Sequence, residues 1–409
     1  MNKADLDQWD VEDPLAHFRN EFALPDKIIY LNGNSLGAAP KATRENLIRL
    51  FDKEWSADLS RSWNTHGWFN LPEKVGANIA KLIGAESHEV IVADSTSVNI
   101  FKLLTAAIRL RSGRNDIVVL HGDFPTDIYI AQGVANLLPQ ITLRTESIED
   151  LEGVIGSNTA VVMLTHVNYR SGEIHDMEKL TRMAHERGAL ILWDLSHSTG
   201  ALPVDLNACR ADFSVGCGYK FLNGGPGAPA YLFVAERHQN HIQPVLSGWI
   251  GHAVPFNFED GYQPAAGIRR NLCGTHSVTG LTALETGVEM FLKADMRLVR
   301  KKSQKLGDLF IELIDPVCTE YGFELASPRD NRLRGSQVSL KHPQGYAIKQ
   351  ALNARDVIID FRAPDILRFG LTPLYLRYTD IRETVCHIKE VMQHREWERP
   401  EFNHRDTVT

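Results

Sequence analysis

"CGYKFLNGGPGAPAYLFV", residues 217–234, places one lysine between a short apolar run and a stretch rich in glycine and proline. A solvated surface lysine has little reason to sit there. Three readings are open. A phosphate cradle of the nucleotide-hydrolase kind needs its lysine after the glycines, followed by Ser or Thr. Here Lys220 precedes the glycines and Phe221 follows it. A bare turn accounts for Gly224, Gly225, Pro226 and Gly227 before the strand "AYLFVA". A Schiff-base lysine accounts for the amine as well, because a desolvated amine near other polar groups becomes a nucleophile.

The flanking sequence decides the fold around this loop. "NDIVVLHGDFPTD" reads as a strand, Ile117 to His121, that ends in a loop. "TAVVMLTHVNYRSG" is a second strand, followed by a helix over Met177 to Glu186 that stops at Gly188. "ALILWDLSHSTG", "DFSVGC" and "PAYLFVA" are three more strands. Continuous β-branched and apolar runs suit strands covered on both faces, and alternation with helices predicts an α/β sheet that is mostly parallel. From about Ser277 the pattern changes to one long helical stretch, then to a smaller α+β unit with strands "SQVSLKH" and "ILRFGLT" and helices "YAIKQALNAR" and "DIRETVCHIKEVMQH". The expected division is an N-terminal segment, 1–55, packed on the small domain, a large domain, 56–290, and a small C-terminal domain, 291–409.

Composition excludes several classes. The 409 residues are 23% charged and 43% hydrophobic, as in an ordinary globular chain. A net charge of −7 gives no electrostatic reason to expect nucleic acid or a membrane surface as partner. No apolar run is long enough to span a bilayer, and "MNKADLDQWDVEDPL" lacks the apolar core of a signal peptide. Cys209, Cys217, Cys273, Cys318 and Cys386 are scattered without metal-ligand or redox spacing, which predicts a reducing, cytoplasmic compartment and no metal.

Ligands of an open α/β sheet bind beyond the carboxyl ends of its strands. Phe124 and Asp127 follow the first strand, Thr165 and Asn168 the second, Asp194 and His197 the third, and Tyr219 and Lys220 the fourth. An acid, an imidazole, a phenol and an amine thus converge on one edge. Pyridoxal phosphate (PLP) sites pair a Schiff-base lysine with a carboxylate facing the pyridine nitrogen. Asp194, one strand before Lys220, suits that role. The phosphate needs donors at a helix start, and "ADSTSVNIFKLLTAAIRL" provides one, with small polar residues from Asp94 to Ser97.

With these motifs in place, the chain resembles the kynureninases, PLP-dependent hydrolases of fold type I in the class V aminotransferase superfamily. The resemblance is carried, in order, by "YLNGNSLG" (30–37), "STSVN" (95–99), "FPTD" (124–127), "DLSHSTGALPVDL" (194–206), "GYKFLNGGPG" (218–227), "GWIGH" (248–252) and "RFGLTPLY" (368–375). It implies a PLP transferase-like fold and hydrolytic Cβ–Cγ cleavage of L-kynurenine to anthranilate and L-alanine, in tryptophan catabolism. The 3-hydroxylated substrate is left open. Position by position, it implies that Lys220 links to the cofactor, Asp194 binds the pyridinium nitrogen and His197 lies beside the cofactor. Thr96 and Ser97 hold the phosphate, Phe124 stacks on the ring, and Asp127 and Thr165 lie close to it. Tyr219 binds phosphate and donates a proton, and Arg368 clamps the substrate α-carboxylate. Trp249 and Thr275 reach the phosphate from the second subunit of a homodimer.

Other positions divide between two roles. Trp63 and His66 fall in the family's aromatic and histidine region, or are ordinary helix-packing residues. "YLNGNSLG" lines the pocket, or is a capped turn before a helix at Ala42. Two rival functions stand beside the hydrolase. A cysteine desulfurase or aminotransferase of the same fold usually has His before its lysine, where this chain has Tyr219, and a desulfurase needs a nucleophilic Cys on a mobile loop. Cys318 and Cys386 fall in helical patterns and read as buried structural thiols. A non-catalytic PLP-binding regulator needs an added DNA-binding segment, and a relic loses Lys220, Asp194 or Arg368; all three are present.

Overall fold

The computed structural model describes residues 3–405. The first strand, β1 (Ile29–Tyr30), is only two residues long. A seven-stranded sheet follows, built from β2 (Val90–Val92), β3 (Asp116–Leu120), β4 (Thr142–Glu146), β5 (Thr159–Thr165), β6 (Leu190–Asp194), β7 (Phe213–Gly216) and β8 (Tyr231–Val234). Its order is β2-β8-β7-β6-β5-β3-β4. The five strands from β7 to β4 run parallel; β8 is antiparallel to both its neighbours. The sheet is therefore mixed and mostly parallel, as expected.

Alternate side chains along its central strands enter different cores. Val118, Val162, Leu164, Ile191 and Trp193 belong to the core on one face. Ile117, Val119, Val161, Met163 and Leu192 belong to the core on the other. A strand apolar at every position has to be covered on both faces, and helices do so here.

The C-terminal part holds β9 (Glu324–Leu325), β10 (Gln337–Lys341), β11 (Val357–Ile358), β12 (Asp360–Arg362) and β13 (Ile366–Gly370). Four of these form an antiparallel sheet ordered β12-β13-β10-β9. The fifth, β11, pairs in parallel with β1, Ile29 opposite Val357. Asp10 accepts hydrogen bonds from the amides of Tyr378 and Thr379, and Trp9 meets the Tyr378 ring edge-on at 5.3 Å. The N-terminal segment is thus tied to the C-terminal helix Tyr378–Gln393.

The helix Met177–Glu186 has its predicted bounds, and Gly188 takes the left-handed backbone (φ 75°) that follows it. Three details correct the sequence reading. The stretch from Val278 is two helices, Val278–Lys293 and Met296–Tyr321, because Asp295 leaves the helix and caps the second one through the Arg297 amide. The first predicted strand is one residue earlier, Asp116–Leu120. The helix near Ala42 starts at Lys41 behind Pro40, with no side-chain cap. The polar residues of 30–37 are committed elsewhere.

Candidate active site

The carboxyl ends of β3, β5, β6 and β7 bring the predicted residues together. Thr165 and Asp194 end adjacent strands and are register partners. Asp194 Oδ1 accepts from the Ser196 amide at 2.8 Å and its hydroxyl at 2.6 Å, which fixes the carboxylate plane. Asp127, in the first turn of the helix Pro125–Leu137, is buried and its Oδ2 has no partner. Burial, then the charges of Asp194 and Asp123, hold its carboxyl well above the usual range, while Lys220 pulls the other way. Lys220 is itself buried, with Nζ 5.5 Å from the Phe124 ring centroid and 5.7 Å from that of Tyr219. Phe124 meets Tyr169 edge-on at 5.3 Å.

His197 is buried with Nε2 unpartnered. Burial, followed by the charges of Lys220, Arg368 and Arg362, keeps the imidazole neutral, its pKa well below the ordinary value. It therefore lies within electrostatic reach of both the lysine and the two arginines. The Tyr219 phenol is pushed up, first by burial and then by Cys217 and Asp194, so it stays protonated and available as a donor.

Arg368 lies on β13 and is buried. Its Nη1 donates to the Tyr169 carbonyl at 2.8 Å, its Nη2 to Asp360, and its Nε is buried without a partner. Thr96 and Ser97 open the helix Thr96–Leu110, whose cap Ser95 accepts from the Val98 amide. Asp94, just before them, has a left-handed backbone (φ 46°). It is gripped by the buried Lys102, which also donates to the Asn271 carbonyl at 2.6 Å.

Trp249 and Thr275 stand apart. Trp249 is 38% exposed and packs edge-on against Phe256, itself 63% exposed. Thr275 is exposed, on a hollow of about 220 Å³ shared with Asp94, Gly227 and Pro229. No hydrogen bond or ring contact among the described residues joins either one to Lys220 or Asp194. Trp63 packs against Trp68 and His276, whereas the exposed His66 pairs with Asp58 at 2.7 Å. Cys318 is half-buried and Cys386 exposed, so the expectation of two buried thiols is wrong; both do lie on helices. Cys318 sits at the margin of its helix's apolar stripe, packed against the core, and Cys386 lies off the stripe of its own helix.

Asp123, Asp360 and Arg362 are missing from the sequence reading, and residues 30–37, divided there between two roles, gain a definite place. Asp123 is buried and holds Thr165. It is an acid two residues before the helix start at Pro125 and just past the strand that ends at Leu120, which is the signal for it. Asn34 is buried and donates to Gln337 at 2.7 Å, and Gly37 donates its amide to the Tyr219 carbonyl at 2.8 Å. Residues 32–37 are thus wedged between the C-terminal sheet and the lysine loop. Asp360 and Arg362 lie on a three-residue strand too short to leave a periodic signal.

Comparison with known proteins agrees with this geometry. Residues 299–388 match the kynureninase C-terminal domain. The chain is 47% identical to the kynureninase of Pseudomonas fluorescens over 406 residues, 98% of each chain. In fold it is similar to a cysteine desulfurase from Thermococcus onnurineus (TM-score 0.77, 20% identity, 92% of this chain and 98% of that one). It is also similar to C-DES, solved with glycine covalently linked to its PLP cofactor (TM-score 0.77, 16% identity, 91% and 99%). The two solved structures share the fold; identity along nearly the whole length identifies the lineage, and the chain belongs to the kynureninase family.

Proposed function

We infer that the chain hydrolyses the Cβ–Cγ bond of L-kynurenine to anthranilate and L-alanine, with pyridoxal phosphate as cofactor. The observation that carries the reading is the charge balance at the strand ends. Asp123, Asp127 and Asp194 are all buried there beside one buried cation, Lys220. Burial and the neighbouring acids hold the Asp123 and Asp127 carboxyls above their ordinary range, the mark of a site short of positive charge, and a protonated pyridine ring would fit it. The unpartnered Asp127 Oδ2, His197 Nε2 and Arg368 Nε fit a polar ligand between them. When bound, the cofactor supplies an electron sink for the α-carbon of an amino acid.

The chain's own residues then divide the work. Asp194 keeps a proton on the ring nitrogen. Thr96, Ser97 and Tyr219 hold the phosphate, Thr96 and Ser97 at a helix start whose free amides favour anions. Phe124 and His197 would flank the ring, and Thr165 and Asp127 would hold its substituents. Lys220 anchors the cofactor and moves the substrate α-proton. Tyr219, kept protonated by burial, is the donor for the departing β-carbon, a role typically worth about 10²–10⁴-fold. Arg368 takes the α-carboxylate.

The proposed active unit is a homodimer, with Trp249 and Thr275 completing the partner's phosphate site. Its support is the exposed aromatic set Trp249, Phe256, Phe258 and Tyr262 on a long irregular segment, a composition suited to an interface core. The large and small domains are taken as 56–290 and 291–409, with 1–55 on the small one. No helix among the described residues is long and apolar enough to cross a membrane, and the five free cysteines suit a reducing cytoplasm.

The test is anthranilate fluorescence released from L-kynurenine by the PLP-loaded protein, with alanine formed in equal amount. Release of sulfur from cysteine without anthranilate would assign the desulfurase reaction instead.

A further inference from the structure

Arg368 does not face its site as a free cation. Asp360 on β12 is its direct register partner, and the two side chains lie on one face of the C-terminal sheet. Arg362 is two residues along β12 and therefore shares that face. Both guanidiniums contact the same oxygen, Asp360 Oδ2, Arg362 at 3.0 Å. The other oxygen, Oδ1, accepts the Phe361 amide at 2.7 Å. Asp360 is completely buried, as is Arg368, whereas the Arg362 side chain is 30% exposed.

The charges can be counted. Arg368 and Asp360 neutralise one another, so that pair alone exerts little pull on an anion. Arg362 brings the group to a net charge of +1, which one carboxylate would cancel. Its charge also reaches the reacting centre: it acts on both His197 and Tyr219. The buried, unpartnered Nε of Arg368 marks where a second donor waits.

We propose that Arg362 is a second substrate-recognition residue, binding the α-carboxylate together with Arg368 while Asp360 serves both as a buried counter-ion. This rests on the kynureninase reading of the site. Arg368 then supplies direction, because Asp360 and the Tyr169 carbonyl fix its plane, and Arg362 supplies the net charge.

The experiment compares PLP-loaded wild type with Arg362→Gln and Arg362→Lys. Arg362→Gln should raise the KM for L-kynurenine by about 10–100-fold and leave kcat within about 3-fold, the pattern of lost ground-state binding. Arg362→Lys should recover much of the loss by restoring the charge. The fall of kcat/KM with ionic strength should be shallower in Arg362→Gln, a readout that a packing role would not move. A KM within about 2-fold of wild type in Arg362→Gln overturns the proposal. So does a variant whose kcat and thermal midpoint fall while KM and salt dependence stay unchanged. Should Arg362→Gln fail to fold, the wild type decides: a kcat/KM for L-kynurenine that does not fall with ionic strength also overturns it. A wild-type protein that releases no anthranilate defeats the underlying reading instead.

Discussion

Asp123 holds Thr165 twice: the threonine hydroxyl donates to one carboxylate oxygen at 2.5 Å and its amide to the other at 3.2 Å. Thr165 ends the strand beside Asp194, so this pair sets one wall of the proposed cofactor site. Burial pushes the Asp123 carboxyl from its ordinary 3.8 up to about 7, with the hydrogen bonds from Thr165 opposing and the Asp194 charge adding to the rise. The folded state therefore binds more protons than the unfolded one between these values. Stability from this group is present below the lower value and is lost as pH rises towards the upper one.

Asp123→Asn removes that titration. The variant loses the amide acceptor and starts at a disadvantage in acid. Its thermal midpoint relative to wild type should improve as pH rises from about 4 to about 7, by on the order of a few kcal/mol of stability across the window. Paired thermal melts of cofactor-free protein check this. A difference independent of pH would mean that Asp123 ionises normally in the fold.

Gly37 touches the lysine loop directly. A Cβ built there falls 2.2 Å from the Lys220 carbonyl oxygen and 2.5 Å from Asn223 Oδ1. Gly37→Ala has to push the loop away from the strand ends. Misplacing a catalytic group by about 1 Å can cost on the order of 100-fold in rate, and overpacking costs about 1–3 kcal/mol in stability. Turnover and the thermal midpoint should both fall, and a variant with wild-type kinetics would show that the loop has slack.

Lys102 joins the start of the helix Thr96–Leu110 to the segment carrying Thr275, through Asp94 on one side and the Asn271 carbonyl on the other. Lys102→Met keeps most of the volume and cuts both links. The dissociation constant for pyridoxal phosphate should rise by about 10-fold, read from cofactor absorbance on dilution. Unchanged affinity would confine Lys102 to packing.

A site shared between subunits predicts complementation. Lys220→Ala and the double variant Trp249→Ala, Thr275→Ala should each be inactive. In a mixed dimer one site is intact and the other doubly broken. With exchange verified, activity should rise to about a quarter of wild type, because about half the dimers are mixed and each has one working site. If mixing restores nothing, Trp249 and Thr275 act within their own subunit.

Legibility in the sequence followed the length of the local signal. The runs at 160–164 and 190–193 are apolar at every position, and every residue of the two strands that contain them is buried. Residues at strand ends, Asp194 and Lys220 among them, could be found because the sheet's geometry says where to look. What escaped depends on pairing across long distances. Asp360 acquires its meaning from Arg368 in the neighbouring strand and from Arg362 beyond it. Asn34 acquires its meaning from Gln337, about 300 positions away. β4 was missed because it is an edge strand with half-exposed polar residues, "TLRTE", and lacks the apolar run. Asp123 was overlooked beside the more conspicuous Phe124 and Asp127.

The pairing of Ile29 with Val357 carries a consequence for how the molecule is made. A ribosome releases residue 29 long before its partner exists. The large sheet, whose strands all lie between residues 90 and 234, has its own sequence in hand well before synthesis ends. The segment that holds Phe18, Phe22 and Leu31 must wait, because these apolar groups lack the C-terminal surface that helps to bury them. Closing such a contact late is slow and leaves the emerging chain open to aggregation. The turn at residues 32–37 settles against the lysine loop in the same event, so the newborn chain gains its reacting centre only when its two ends have met.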